Sequence, residues 1–141
     1  MGLRALLPCK PDKGSRTVPM AGRQVELHVL GCDAGGATFA VLSGDIVDPL
    51  QAGEVLAQWQ GATVANLQGA VARERPFALA KALPLAQSLR VTAKGTRAGG
   101  AMVDGEAAYF ARGSRVFQAV VYAERMPGEA AETFFAGLRL E

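Results

Sequence analysis

Apolar and polar residues alternate along most of this chain, and helical spacing interrupts the pattern twice. In "VELHV", Val25, Leu27 and Val29 alternate with Glu26 and His28. In "SLRVTAKGT", Leu89, Val91 and Ala93 alternate with Arg90, Thr92 and Lys94. Alternate side chains of a strand share a face. Each stretch therefore predicts a half-buried strand, with the first set inward and the second outward. "GLRALL" and "ATFAVLSGD" are two more apolar strand candidates. "TVPMAGRQVELHVLG" predicts a hairpin turning at Gly22-Arg23, with Met20 opposite Val25 and Val18 opposite Leu27. "AMVDGEAAYFARGSRVFQAVVYAE" predicts a longer one about Gly113-Ser114, with Phe110 facing Phe117 and Ala108 facing Ala119. "PCKPDKGSR" reads as a loop and "AVARERPFALAKALP" as a connection.

The first helical stretch is "DPLQAGEVLAQWQGATVANLQG". Asp48 suits the N-cap, Pro49 the first helical position and Gln51 the partner position of a capping box. Ala52, Val55, Leu56, Trp59, Ala62, Thr63 and Leu67 recur at spacings of three and four and form one apolar stripe. The second stretch, "EAAETFFAGLRL", predicts a short closing helix. Together the elements predict one α+β domain over residues 1–141: an antiparallel sheet of six to seven strands, with one long central helix and a short C-terminal helix packed on it. A sheet so covered is expected to conceal one face.

Composition narrows the picture modestly. Half of the 141 residues are apolar and a fifth are charged, which is ordinary globular usage. A net charge of +2 with no concentrated basic stripe argues against a nucleic-acid partner. No apolar run approaches the ~20 residues of a membrane span. "MGLRALLPCKP" reads as the start of the first strand and not as a signal peptide.

The stretch "VELHVLGCDAGG" holds the only histidine, His28, and one of two cysteines, Cys32. Four residues along a strand span ~13 Å, whereas a thiol–imidazole dyad needs about 3 Å. The two therefore form no catalytic pair, and no catalytic residue is assigned. "GCDAGGAT" and "GTRAGGAMVDG" lack phosphate-loop spacing and a following helix and read as turns. Asp33, Asp45 and Asp48 show no EF-hand pattern, and two cysteines with one histidine fall short of a zinc site. No metal or cofactor is expected.

The order of elements, with "LPCKP", the capped helix containing Trp59, "YFARGSRVFQAVVY" and "AAETFFAGLRL", resembles the PsbP-like superfamily across nearly the whole chain. That superfamily includes a photosystem II extrinsic protein, a Ran-binding import factor and small bacterial envelope proteins. The resemblance implies a non-catalytic cell-envelope protein, often exported or lipid-anchored, that binds another envelope protein or stabilises an assembly, as a monomer or weak dimer. It also implies an export signal outside these residues. Cys9 and Cys32 end strands that could be neighbours, so a disulfide in an oxidising compartment is one reading, and two reduced thiols in the cytosol the other. Arg90, Lys94, Arg97, Arg112 and Arg115 form a candidate binding patch for an acidic partner or an anionic headgroup, against a solvated, edge-protecting face. Two further function classes stay open: a cytosolic adaptor for a GTPase or other protein, and a small enzyme, which would require a deep pocket with convergent polar groups.

Overall fold

A computed structural model describes residues 2–96 and 99–141. The chain is α+β. Strands β2 (Asp12–Met20), β3 (Arg23–Ala34), β4 (Ala37–Asp45), β5 (Ala70–Pro76), β6 (Leu89–Thr96), β7 (Met102–Arg112) and β8 (Arg115–Ala123) make one antiparallel sheet in the order β2-β3-β4-β8-β7-β6-β5. Helix α1 (Ala52–Asn66) links β4 to β5, and α2 (Gly128–Ala136) follows β8. The short strands β1 (Leu3–Arg4) and β9 (Arg139–Leu140) pair with each other. "GLRALL" is thus not part of the main sheet, and β5, expected to be a connection, is.

Local chemistry explains most of these elements. The β7–β8 hairpin has the expected register, Phe110 opposite Phe117 and Ala108 opposite Ala119, and the two phenyl rings stack at 5.1 Å. The β2–β3 hairpin turns one residue earlier than expected, at Ala21-Gly22, so that Val18 faces Val25 and Met20 faces Arg23. Both turn residues have positive φ, 48° and 76°. This mirror-image turn matches strand twist, and Gly22 takes its second position. β2 begins at Asp12, inside the expected loop, because the long β3 offers backbone partners to a polar edge strand. β5 is exposed throughout and pairs only with β6, so its side chains show no burial pattern.

The Asp48 carboxylate accepts from the Leu50 N–H at 3.0 Å, and Pro49–Gln51 form a 3-10 turn leading into α1. Gln51 sits at the N-cap of α1, but its side chain makes no capping hydrogen bond. With that turn the helical segment spans 18 residues, and it is not a single central helix over the sheet, because α2 lies on the opposite face. Ala52, Val55, Leu56 and Trp59 pack with Leu27, Val91, Tyr109 and Val120 on one side. Phe134, Phe135 and Leu138 pack with Phe39, Phe110, Phe117 and Val121 on the other. Both faces are covered, contrary to the one concealed face expected. Gly95 in β6 seats the end of α1: a Cβ there would lie 2.2 Å from the Leu67 carbonyl oxygen.

Candidate functional site

Cys9 and Cys32 are bonded, with their Cα atoms 6.0 Å apart. Cys32 lies on the α2 face of β3, and Cys9 lies in the N-terminal segment, whose Ala5 and Leu7 pack against that face. The bond ties this covering segment to the sheet.

The five-residue basic patch does not form as one surface. Arg90, expected to face outward, is 8% exposed, because α2 covers the face it points to. Its Nε donates to Glu106 at 2.5 Å and its Nη2 to Glu132 at 2.6 Å, while its guanidinium lies 4.3 Å from the Phe135 ring centroid. Burial pulls this guanidinium's pKa down, and the hydrogen bonds it donates to Glu132 and Glu106, with their negative charges, more than offset it, so the pKa ends above its ordinary value. Lys94 is exposed but pairs in register with Asp104, eight residues from Arg112 along β7, or ~26 Å along the strand. Arg97 lies outside the described residues. Arg112 and Arg115 remain together at the β7–β8 turn, directly opposite each other. Arg112 donates to the Glu141 carbonyl.

Beside that turn lies an element the hydrophobic pattern did not single out. Ile46 is fully buried, and its N–H donates to the Ser114 carbonyl at 2.8 Å. The next residue, Val47, has φ +71° and is 66% exposed. A β-branched side chain in the left-handed region costs on the order of 1–3 kcal/mol. Asp45 holds it there by accepting the Val47 N–H at 2.8 Å. That bond, the Ser114 hydroxyl and the Arg115 charge keep the Asp45 carboxyl below its ordinary pKa. Leu50 follows, 92% exposed. Val47 and Leu50 are thus two exposed apolar residues of a tip that leaves the sheet at Asp45 and Ile46, which meet Arg115 and Ser114 of the β7–β8 turn. The sequence did carry a signal: Leu50 falls outside the α1 stripe although it is among the most apolar residues of "DPLQAGEVL".

A second feature is a cleft of about 560 Å³ between α1 and the β2–β3 side of the sheet. Val55, Trp59, Ala62, Thr63 and Asn66 form one wall, and Arg16, Val18 and Pro19 the other, with Leu27, Gln118 and Tyr122 at the base. Gln118 is buried, and its Nε2 donates to the Tyr109 hydroxyl and to Thr63 Oγ1, both at 2.9 Å. Burial pushes the Tyr122 hydroxyl up to about 12, so it is a neutral donor at ordinary pH. The cleft draws on β2, β3, α1 and β8, and no contiguous motif announces it.

His28 is exposed, with Nε2 3.4 Å from Glu26 Oε1, and its nominal neighbour Cys32 is in the disulfide. The three aspartates are engaged locally: Asp33 accepts from the Thr38 hydroxyl at 2.6 Å, Asp45 from Val47 and Asp48 from Leu50. Among the described residues no group of acids, histidine and cysteines gathers as a metal site, and no helix is long and apolar enough to cross a membrane. No family model matches the chain, and no curated protein matches it.

Proposed function

We propose that this protein is a non-catalytic binding module of the cell envelope that holds another protein or stabilises an assembly. The observation that carries the reading is the tip at Val47 and Leu50. Two exposed apolar side chains stand on a strained, hydrogen-bonded loop anchored by buried Ile46, which bonds to the turn that Arg112 and Arg115 flank. Backbone strain held in place by its surroundings clusters at binding sites, and an apolar anchor rimmed by charge suits a partner with a small apolar pocket and acidic surroundings. The Cys9–Cys32 bond supports an oxidising compartment. An antiparallel sheet with two helices is in keeping with a PsbP-like relationship, which is part of this proposal.

The test is a photo-crosslinking side chain placed at position 50, or at exposed Ala57 as control, in cells of the native host. A discrete adduct from position 50, absent from position 57 and lost on Arg115→Glu, is the expected outcome. The reading fails if position 50 gives no adduct or gives the same adducts as position 57. Cell fractionation of the same samples places the protein in the envelope or the cytosol.

A further inference from the structure

The cleft under α1 has a direction. β2 runs from Arg16 to Met20 along one wall, while α1 runs the opposite way from Val55 to Asn66 along the other. One end is therefore formed by Pro19, Met20 and Val55, with Val18 and Leu27 nearby. The other end gathers Arg16, Asn66 and Tyr122. Val18, Pro19 and Ala62 present accessible apolar surface, and the indole of Trp59 lies behind them. Gln118 is already committed to Thr63 and Tyr109, which fixes the base of the cleft.

The polar end is positively charged. Arg16 makes no ion pair among the described residues, and no acidic side chain lines the cleft. Arg16 is near enough to Tyr122 for its charge to act on that hydroxyl. A guanidinium, a phenol O–H and the Asn66 amide are all donors, and they suit the two oxygens of a carboxylate. The volume lies within the range of small-molecule sites. We propose that this cleft binds a small amphipathic monocarboxylate, its carboxylate on Arg16 and Tyr122 and its apolar body along Val18, Pro19 and Ala62 towards Val55. This site is separate from the Val47–Leu50 tip and does not depend on a protein partner.

Trp59 is the only tryptophan of the chain, so its emission reports on the cleft directly. The experiment titrates the whole protein with octanoate and, in parallel, with octylamine, following Trp59 fluorescence. Arg16 is exposed on an edge strand, so Arg16→Gln is expected to melt like the wild type. The expected result is a saturable change with octanoate and none with octylamine. Arg16→Gln should weaken octanoate binding about tenfold, in line with loss of one charge-assisted contact, and Tyr122→Phe by less. Ala62→Glu, which sets a negative charge at the mouth, should abolish it. The proposal is overturned if octanoate gives no saturable change. It is equally overturned if octylamine binds as well as octanoate, or if Arg16→Gln and Ala62→Glu bind as the wild type does.

Discussion

The two faces of the same sheet solve the same problem with different chemistry. On the α1 face the buried polar groups are neutral: Gln118 bridges Tyr109 and Thr63, and the Thr63 hydroxyl donates to the Trp59 carbonyl at 2.9 Å. On the α2 face Ser43 is buried without a partner, and the group held by neighbours is ionic: buried Arg90 is bound by Glu106 and Glu132, with Arg75 reaching Glu132 at 3.5 Å. β7 supplies both, with Tyr109 turned to one side and Glu106 to the other. A neutral network adds roughly 1 kcal/mol per bond, and leaving a partner unpaired costs about 1–3 kcal/mol. A buried ion pair gains little on balance, yet removing one partner costs about 3–5 kcal/mol. The α2 face should therefore be the more fragile to single substitutions, although its net electrostatic gain is no larger.

The sharpest way to break this comparison is Arg90→Met. It leaves Glu106, 12% exposed, without its buried counter-ion. A loss of about 3–5 kcal/mol is expected in denaturant unfolding, and adding Glu106→Leu should restore most of it. If the single variant costs no more than a surface change, the α2 face is not held as described.

Replacing both cysteines by serine probes the same face through its cover. The 23-residue separation corresponds to about 3.5 kcal/mol on the chain-entropy model, and thermal unfolding with and without reductant measures it. Intact mass before and after reduction should differ by about 2 Da, one hydrogen per sulfur.

On the α1 face, Gln118→Met is expected to cost about 1–3 kcal/mol, by removing the donor to the buried Tyr109 hydroxyl and to Thr63 Oγ1, which keeps its own bond to Trp59. Pairing it with Tyr109→Phe should recover part of that loss. A cost above that of Arg90→Met would reverse the ranking of the two faces.

Acid should separate the faces without any mutation. The hydrogen bond from Arg90 holds the Glu132 carboxyl below its ordinary value of 4.5, with further help from Arg75. A carboxylate depressed in the fold stabilises above its unfolded pKa, and this contribution is lost as pH falls through the lower folded value. Stability should thus decline below about pH 4.5, and Glu132→Gln should flatten that decline, with a neutral-pH cost under about 1 kcal/mol because Glu132 is largely exposed. An unchanged acid limb in the variant would remove Glu132 from the account. The smallest effect concerns the tip between the faces: Val47→Gly relieves the positive φ and is expected to leave stability unchanged or raise it by up to about 1 kcal/mol.

Sequence alone determined the elements whose chemistry is local. Asp48-Pro49 starts a helix because a carboxylate and a fixed φ satisfy and preset its first turn, and Phe110 meets Phe117 because a two-residue turn fixes register. The Val91 face was readable from period two; the Cys9–Cys32 pairing was a candidate because both cysteines were placed at strand ends, although Cys9 lies in a covering segment and not at the end of a sheet strand. Tertiary structure decided what period two cannot state, namely which elements cover each face. Arg90 reads as a solvent-facing residue of an alternating strand until α2, some forty positions later, lands on it and supplies Glu132. The same limit explains the missed β5, a polar edge strand defined by its backbone bonds to β6 alone. It also explains the cleft, whose lining comes from segments near residues 16, 27, 59 and 120. Alternation records that a side chain turns to one side of a sheet, and only the packing of distant elements settles whether that side is water, a helix or a binding site.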